Sequence, residues 1–227
     1  MIYAISDLHL SKRGDKPMNV FGDQWDDYES RIIEDWVSKV KENDTVLLCG
    51  DLSWAMKLED AVEDLKEFDD LPGKKIITRG NHDYWWNSYQ KVKSALPKSF
   101  SAIQNNSLDV EENIVCGTRL WDIPSKDATE QDVKIYYREQ SRLRLALEDA
   151  KRKSPDKQII VMTHYPPFAD GFKPSEFTKI IEEYDVYKVV YGHIHGANSY
   201  HKKEITLNGV TYVLTSCDMV DFKLTLI

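Results

Sequence analysis

At 227 residues with 41% hydrophobic content, the chain is long enough for a full hydrophobic core and lies within the globular range. Thirty-eight acidic against 30 basic side chains give a net charge of −8, which disfavours a long polyanion such as nucleic acid as a dedicated partner. No apolar run approaches the roughly 18 residues a membrane span requires, and the N-terminal run Ile2–Ile5 stops at Asp7, too short for a signal peptide.

In chain order, six short apolar runs rich in β-branched residues are expected as strands: Ile2–Ile5, Val46–Cys49, Lys75–Thr78, Ile114–Cys116, Ile159–Thr163 and Val189–Tyr191. Helical spacing marks four stretches between them. Trp25, Tyr28, Ile32, Trp36 and Val40 share one face, and Leu58, Ala61, Val62, Leu65 and Phe68 share a second. Trp85, Tyr89, Val92 and Leu96 form a third, and Tyr136, Leu143, Leu147 and Ala150 mark a fourth, longer helix. Lys151-Arg152-Lys153 closes that helix, where cations complement the dipole; the run reads as a solvated helix end rather than a phosphate-binding patch. Asn208-Gly209 between Glu204–Leu207 and Val210–Leu214 predicts a type I′ hairpin. Strands alternating with helices predict one α/β domain over residues 1–227, with helices outside and antiparallel strands near the end. Cys49, Cys116 and Cys217 offer neither a short metal-ligand spacing nor an even set, so buried free thiols in a reducing cytoplasm are expected.

Chemistry-bearing residues gather just after five of the strands: Ser6-Asp7-Leu8-His9, Gly50-Asp51-Leu52, Gly80-Asn81-His82-Asp83, Thr163-His164-Tyr165 and Gly192-His193-Ile194-His195-Gly196. In open α/β sheets, ligands bind at this edge. Five of the six His residues fall in these segments, and His201 lies outside them. Imidazole with carboxylate and amide oxygen is a ligand set suited to a transition-metal hydrolase. Asp7 with His9, and His193 with His195, are spaced by two, which on an extended segment sends both members to one side. Gly50, Gly80, Gly192 and Gly196 permit unusual dihedrals and close backbone approach beside the site.

This series, D-x-H, G-D, G-N-H-[DE], H and G-H-x-H from Asp7 to His195, resembles that of the calcineurin-like metallophosphoesterases, as in bacterial phosphohydrolases. The resemblance implies a four-layer α/β/β/α sandwich of two mixed β-sheets flanked by helices, with a dinuclear metal site at the strand ends. It further implies that Asp7, His9 and His195 bind one metal, that Asn81, His164 and His193 bind the second, and that Asp51 bridges them. Two divalent transition ions (Mn, Fe or Zn) are expected, with a metal-activated hydroxide attacking phosphorus. The same resemblance gives His82 a catalytic role, donating to the leaving group or stabilising charge. Asp83 orients His82 or caps a helix beginning at Tyr84.

Around the motifs, segment 10–24 is polar and turn-rich and is expected to flank the site. Trp54, Trp86, Trp121 and Tyr165 are candidates to line a pocket, and Trp85 fits a helix core face. Arg79 and Arg119 carry the planar fork that matches phosphate, against ordinary ion-pair roles. The expected substrate is a small phosphomonoester, phosphodiester or pyrophosphate. A nuclease at the same site is disfavoured by the acidic balance, and a non-catalytic scaffold by the complete ligand set.

Overall fold

A computed structural model describes residues 1–12, 14, 16–196 and 202–227. The apolar runs fold as β1 (Ile2–Ile5), β2 (Thr45–Leu48), β3 (Lys74–Thr78), β6 (Asn113–Gly117), β7 (Gln158–Met162) and β8 (Val186–Tyr191). Short segments without a strong apolar pattern add β4 (Phe100–Ile103), β5 (Ser107–Val110) and the two-residue β11 (Thr225–Leu226). Hairpin strands β9 (Glu204–Leu207) and β10 (Val210–Leu214) pair antiparallel, with Asn208 at φ 50 and Gly209 at φ 87 as a type I′ turn requires.

Among the described residues there are five α-helices: α1 (Tyr28–Lys39), α2 (Leu58–Asp69), α3 (Tyr89–Ala95), α4 (Glu130–Lys153) and α5 (Glu176–Glu182). Two apolar stripes extend beyond their helices. Trp25 lies in a short 3-10 turn, because Asp27 adopts a left-handed φ of 50 that breaks the helical path before Tyr28. Trp85 precedes α3, which Ser88 caps by accepting from Lys91 N. The Lys151-Arg152-Lys153 run does close α4, and Arg152 and Lys153 pair with Asp149 at 2.5 and 2.7 Å. Helix α5, seven residues long, lies outside the four expected helical stretches; a capping box at Ser175 starts it.

The strands form two mixed sheets, ordered β11-β1-β2-β3-β4 and β5-β6-β7-β8-β10-β9. Both are parallel at the centre and antiparallel at an edge. Alternation along each strand sorts the core into three slabs. Tyr3, Ile5, Val46 and Leu48 pack with residues of α1, α2 and α3, including Ile32, Trp36, Leu65 and Phe68. Ile2, Ala4, Leu47 and Ile76 meet Val115, Ile160, Met162 and Val190 of the second sheet. Ile114, Ile159, Val161 and Val189 pack with Leu143, Leu147 and Ile180 of α4 and α5. The result is the α/β/β/α sandwich. All three cysteines are free and buried, and among the described residues no helix is long and apolar enough to cross a membrane.

Candidate metal centre

Parallel register brings the C-terminal ends of β1, β2 and β3 to one edge, and those of β7, β8 and β10 to the matching edge of the other sheet. The sheets are joined there through backbone: Ser6 N donates to Thr215 O at 2.8 Å, and Cys217 N donates to Ser6 O at 3.0 Å. All seven expected ligands converge at this junction. Asp7, His9 and His195 offer donor atoms within 4.8 Å of one another, as do Asp7, Asp51 and His164. Asn81 Oδ1 lies 2.7 Å from His164 Nε2 and 2.9 Å from His193 Nδ1. Asp51 Oδ2 stands between the groups, 3.9 Å from His9 Nε2 and 3.5 Å from His164 Nε2.

The local backbone differs from the expected extended pairs. Asp7, His9, Asp51 and His193 have φ of 59, 48, 52 and 72, in the left-handed region. Such conformations are uncommon outside glycine and gather at functional sites, where surrounding bonds hold them. Asp7 N donating to Gly50 O at 2.9 Å and His9 N donating to Asp51 O at 3.0 Å lock the first segment. A left-handed turn after the strand end, rather than strand alternation, therefore turns Asp7 and His9 to a common centre. Of the four motif glycines, Gly80 permits the closest approach: a Cβ there would lie 2.0 Å from Asp51 Oδ1.

The donor chemistry fits cations. Burial pulls His9 down to about 4 and His164 down to about 3, so both rings are neutral near pH 7. His164 Nδ1 faces the Cys49 carbonyl oxygen at 2.9 Å and must carry the ring proton, leaving Nε2 a bare lone pair. That lone pair faces Asn81 Oδ1 and Asp51 Oδ2, two further electron-pair donors. Such atoms repel unless a cation lies among them. His9 Nδ1 is likewise buried without a hydrogen-bond partner. Burial and the nearby charges of Asp7 and Asp83 push the Asp51 carboxyl well above its ordinary range, a penalty that bound cations reverse. For Asp7, burial is outweighed by His195, His164 and His9, which hold its carboxyl low.

Asp83 has a different partner set from either expected role. Its buried carboxylate accepts from Asp51 N at 3.0 Å, Leu52 N at 2.9 Å, Ser53 N at 3.3 Å, Gly80 N at 2.7 Å and Trp85 Nε1 at 3.0 Å. It clasps the Asp51 loop to the Asn81 loop instead of orienting His82, and the following helix is capped by Ser88. His82 donates its backbone N–H to Asp51 Oδ1 at 2.8 Å and leaves its half-buried ring beside the ligands, 5.7 Å from the His9 ring. Burial, then the charge of His193, lowers its pKa.

One carboxylate at the site was not expected from the motifs. Asp218 follows β10 and accepts at Oδ1 from His195 Nδ1 (2.9 Å) and at Oδ2 from Gly196 N (2.9 Å), which fixes the ring that presents Nε2 to Asp7. Its position just after a strand end, like the other five segments, was the available signal.

A cavity of about 460 Å³ opens over the centre, lined by His9, Asp51, His82, His193 and His195 together with Met18, Phe21, Trp25 and Trp54. Met18, Phe21 and Gln24 of segment 10–24 thus do flank the site. Trp54 stacks on His9 at 4.7 Å and meets His82 at 4.6 Å. Trp25 was expected only as part of a helix face. Trp85, Trp86 and Tyr165 are core residues, and Tyr165 packs against Trp121 at 5.3 Å and His193 at 4.3 Å.

Comparison with known proteins agrees with this geometry. The family described as calcineurin-like phosphoesterase matches residues 1–197. The gene 66 protein of Mycobacterium phage L5 is 30% identical over 78 residues, 34% of this chain and 37% of that protein, so the match spans little more than a third of the relative's length. Phosphopantetheinyl hydrolase of Mycobacterium tuberculosis has a similar fold, with a TM-score of 0.63 at 13% identity over 95% of this chain and 88% of that one. TT1561 of Thermus thermophilus aligns with a TM-score of 0.57 at 15% identity, over 99% and 96% of the two chains. The chain belongs to the calcineurin-like phosphoesterase family.

Proposed function

We propose that the protein hydrolyses a small phosphorylated substrate, a phosphomonoester, phosphodiester or pyrophosphate, at a centre of two divalent transition-metal ions. The observation that carries this reading is the position of Asp51 between two ligand groups, one from Asp7, His9 and His195, the other from Asn81, His164 and His193. Ions bound there supply charge neutralisation at phosphoryl oxygens and lower the pKa of water towards neutrality. The chain's own part is positioning. Left-handed turns aim the ligands, Asp83 holds two ligand loops in register, and Asp218 fixes His195. His82 faces the cavity with its ring outside the ligand groups, placed to act on charge that develops at the departing oxygen. Met18, Phe21, Trp25 and Trp54 give that cavity apolar walls, which favour a substrate carrying an apolar or ring-bearing group beside its phosphate. Three buried free thiols accord with a reducing cytoplasm.

The test is elemental analysis of the purified protein, paired with turnover of aryl phosphate mono- and diesters. Two ions per chain are expected, with activity abolished by chelation and restored by Mn or a similar ion. Asp51→Asn removes one shared negative charge, so ion content and turnover should fall together. Full activity with one ion per chain refutes the dinuclear reading.

A further inference from the structure

A second pocket, of about 80 Å³, lies where the ends of β3, β4 and β6 approach α4. Its walls include Arg79, Arg119, Arg142, Gln104, Asn87 and Thr118, and it shares no lining residue with the cavity over the metal centre. In a chain of net charge −8 this is an anomalous concentration of cations. Four guanidinium groups, Arg79, Arg119, Arg138 and Arg142, act on one another here, and the buried carboxylate among them is Glu139.

Glu139 is already committed. It accepts from Thr118 Oγ1 at 2.6 Å, from Arg142 NH1 at 2.7 Å and from Arg138 at 3.4 Å. Asp83, the other buried acid near Arg79, has its oxygens filled by five N–H donors. Among the described residues, the structure gives the Arg79 and Arg119 side chains no hydrogen bond and no ion pair, and Arg79 Nε is buried without a partner. The Arg119 guanidinium stacks on Trp121 at 4.5 Å, which orients the plane but satisfies none of its N–H groups. Both arginines are half-buried. A cation withdrawn from water without a counter-charge is costly, and neighbouring cations raise the cost.

We infer that this pocket binds a phosphate-class oxyanion, at a site separate from the metal centre. An oxyanion supplies the missing counter-charge and accepts from the planar forks that match its geometry. A volume of this size suits a single tetrahedral anion better than a nucleoside. The ligand is either free orthophosphate or a second phosphoryl group of the substrate. The site is tied to the ligand loops by main chain. Arg79 directly precedes Gly80-Asn81, and the Arg119 carbonyl accepts from His164 N at 3.2 Å and Tyr165 N at 3.0 Å.

The test uses metal-loaded protein. Crystals soaked in selenate should show an anomalous peak within hydrogen-bond reach of at least two of the three lining guanidinium groups. In solution, orthophosphate is titrated calorimetrically at constant ionic strength into wild type, Arg79→Gln and Arg119→Gln. Neither substitution strips a hydrogen-bond partner from another group, so both variants should fold. Each should weaken binding at the pocket by tenfold or more, leaving any binding at the metal centre in place. Arg119→Lys, which keeps the charge but loses the fork, should fall between. The two sources separate kinetically. If the substrate's second phosphoryl group occupies the pocket, Arg119→Gln raises KM for a bis-phosphorylated substrate and not for an aryl monophosphate. If free phosphate occupies it, both KM values stay unchanged. Absence of the selenate peak, or phosphate binding equal in wild type and both glutamine variants, overturns the assignment.

Discussion

Replacing Asp83 by Asn tests whether one buried carboxylate holds the metal-binding loops in register. The five donors divide between its oxygens: Leu52 N, Ser53 N and Trp85 Nε1 on Oδ1, Asp51 N and Gly80 N on Oδ2. An Asn side chain of the same shape must present its NH₂ group to one of these sets, so at least two buried N–H groups lose their acceptor. Burial pushes the Asp83 carboxyl up while the N–H donors pull it down. Five converging donors leave no acceptor for a carboxylic proton, so the native group acts as a carboxylate. A buried donor left unsatisfied costs about 1–3 kcal/mol, so Asp83→Asn should destabilise by roughly 3–5 kcal/mol against a typical total of about 5–15 kcal/mol. At about 2–4 °C per kcal/mol for a chain of this length, Tm should fall by roughly 10 °C. Ion content should fall as well, because Oδ2 is what ties the Asp51 loop to Gly80 and hence to Asn81. Thermal unfolding of metal-loaded protein, with ions per chain measured on the same sample, reads both effects. A Tm within about 2 °C of wild type with full ion content would refute the reasoning.

Other outcomes follow from the same geometry. His82→Ala should retain both ions yet lower kcat by roughly 10²–10⁴-fold on poor leaving groups, with a smaller loss on a nitrophenyl ester; lost ions or an unchanged kcat would withdraw the role. The contrast is His201→Ala, outside the motifs and outside the described residues, which should keep wild-type activity and metal. Asp218→Asn should weaken metal binding by roughly 10–100-fold through a misoriented His195, measured by competition with a chelator; unchanged affinity refutes that support. In chelated protein, His9 and His164 are held at about 4 and about 3, below the ordinary 6.5. The unfolded chain therefore takes up protons first as pH drops, and stability present above pH 6.5 is lost progressively towards pH 4 and 3. For His195, burial is outweighed by Asp218 and Asp7, which lift it to about 10, so its contribution is complete below 6.5 and lost as pH rises through 10. Unfolding midpoints that stay flat between pH 7 and 4 would contradict the depressed values.

Much of the site was legible because its residues sit immediately after strongly patterned strands. Alternating apolar runs record which face each strand buries, and Asn208-Gly209 records a turn that few other pairs adopt. The seven expected ligands and His82 were therefore readable in place. Their grouping about Asp51 came from family resemblance. Other features leave no local trace. Strands β4, β5 and β11 are short and edge-like, and pair because an existing sheet offers them hydrogen bonds. Asp7 and His9 share a centre through left-handed turns held by Gly50 and Asp51 carbonyls, which a spacing of two does not reveal. Asp83 reads locally as a helix cap and is in fact a clasp on residues about thirty positions away. Asp218 and Trp25 join the site from segments whose own patterns mark only a strand end and a helix face. Sequence alone determined which side chains are candidates to carry the chemistry, since ligand type and strand-end position are local properties. Only the tertiary structure decided which atoms meet, because contacts such as His164 with Cys49, 115 residues apart, depend on two sheets packing with their strand ends on one edge.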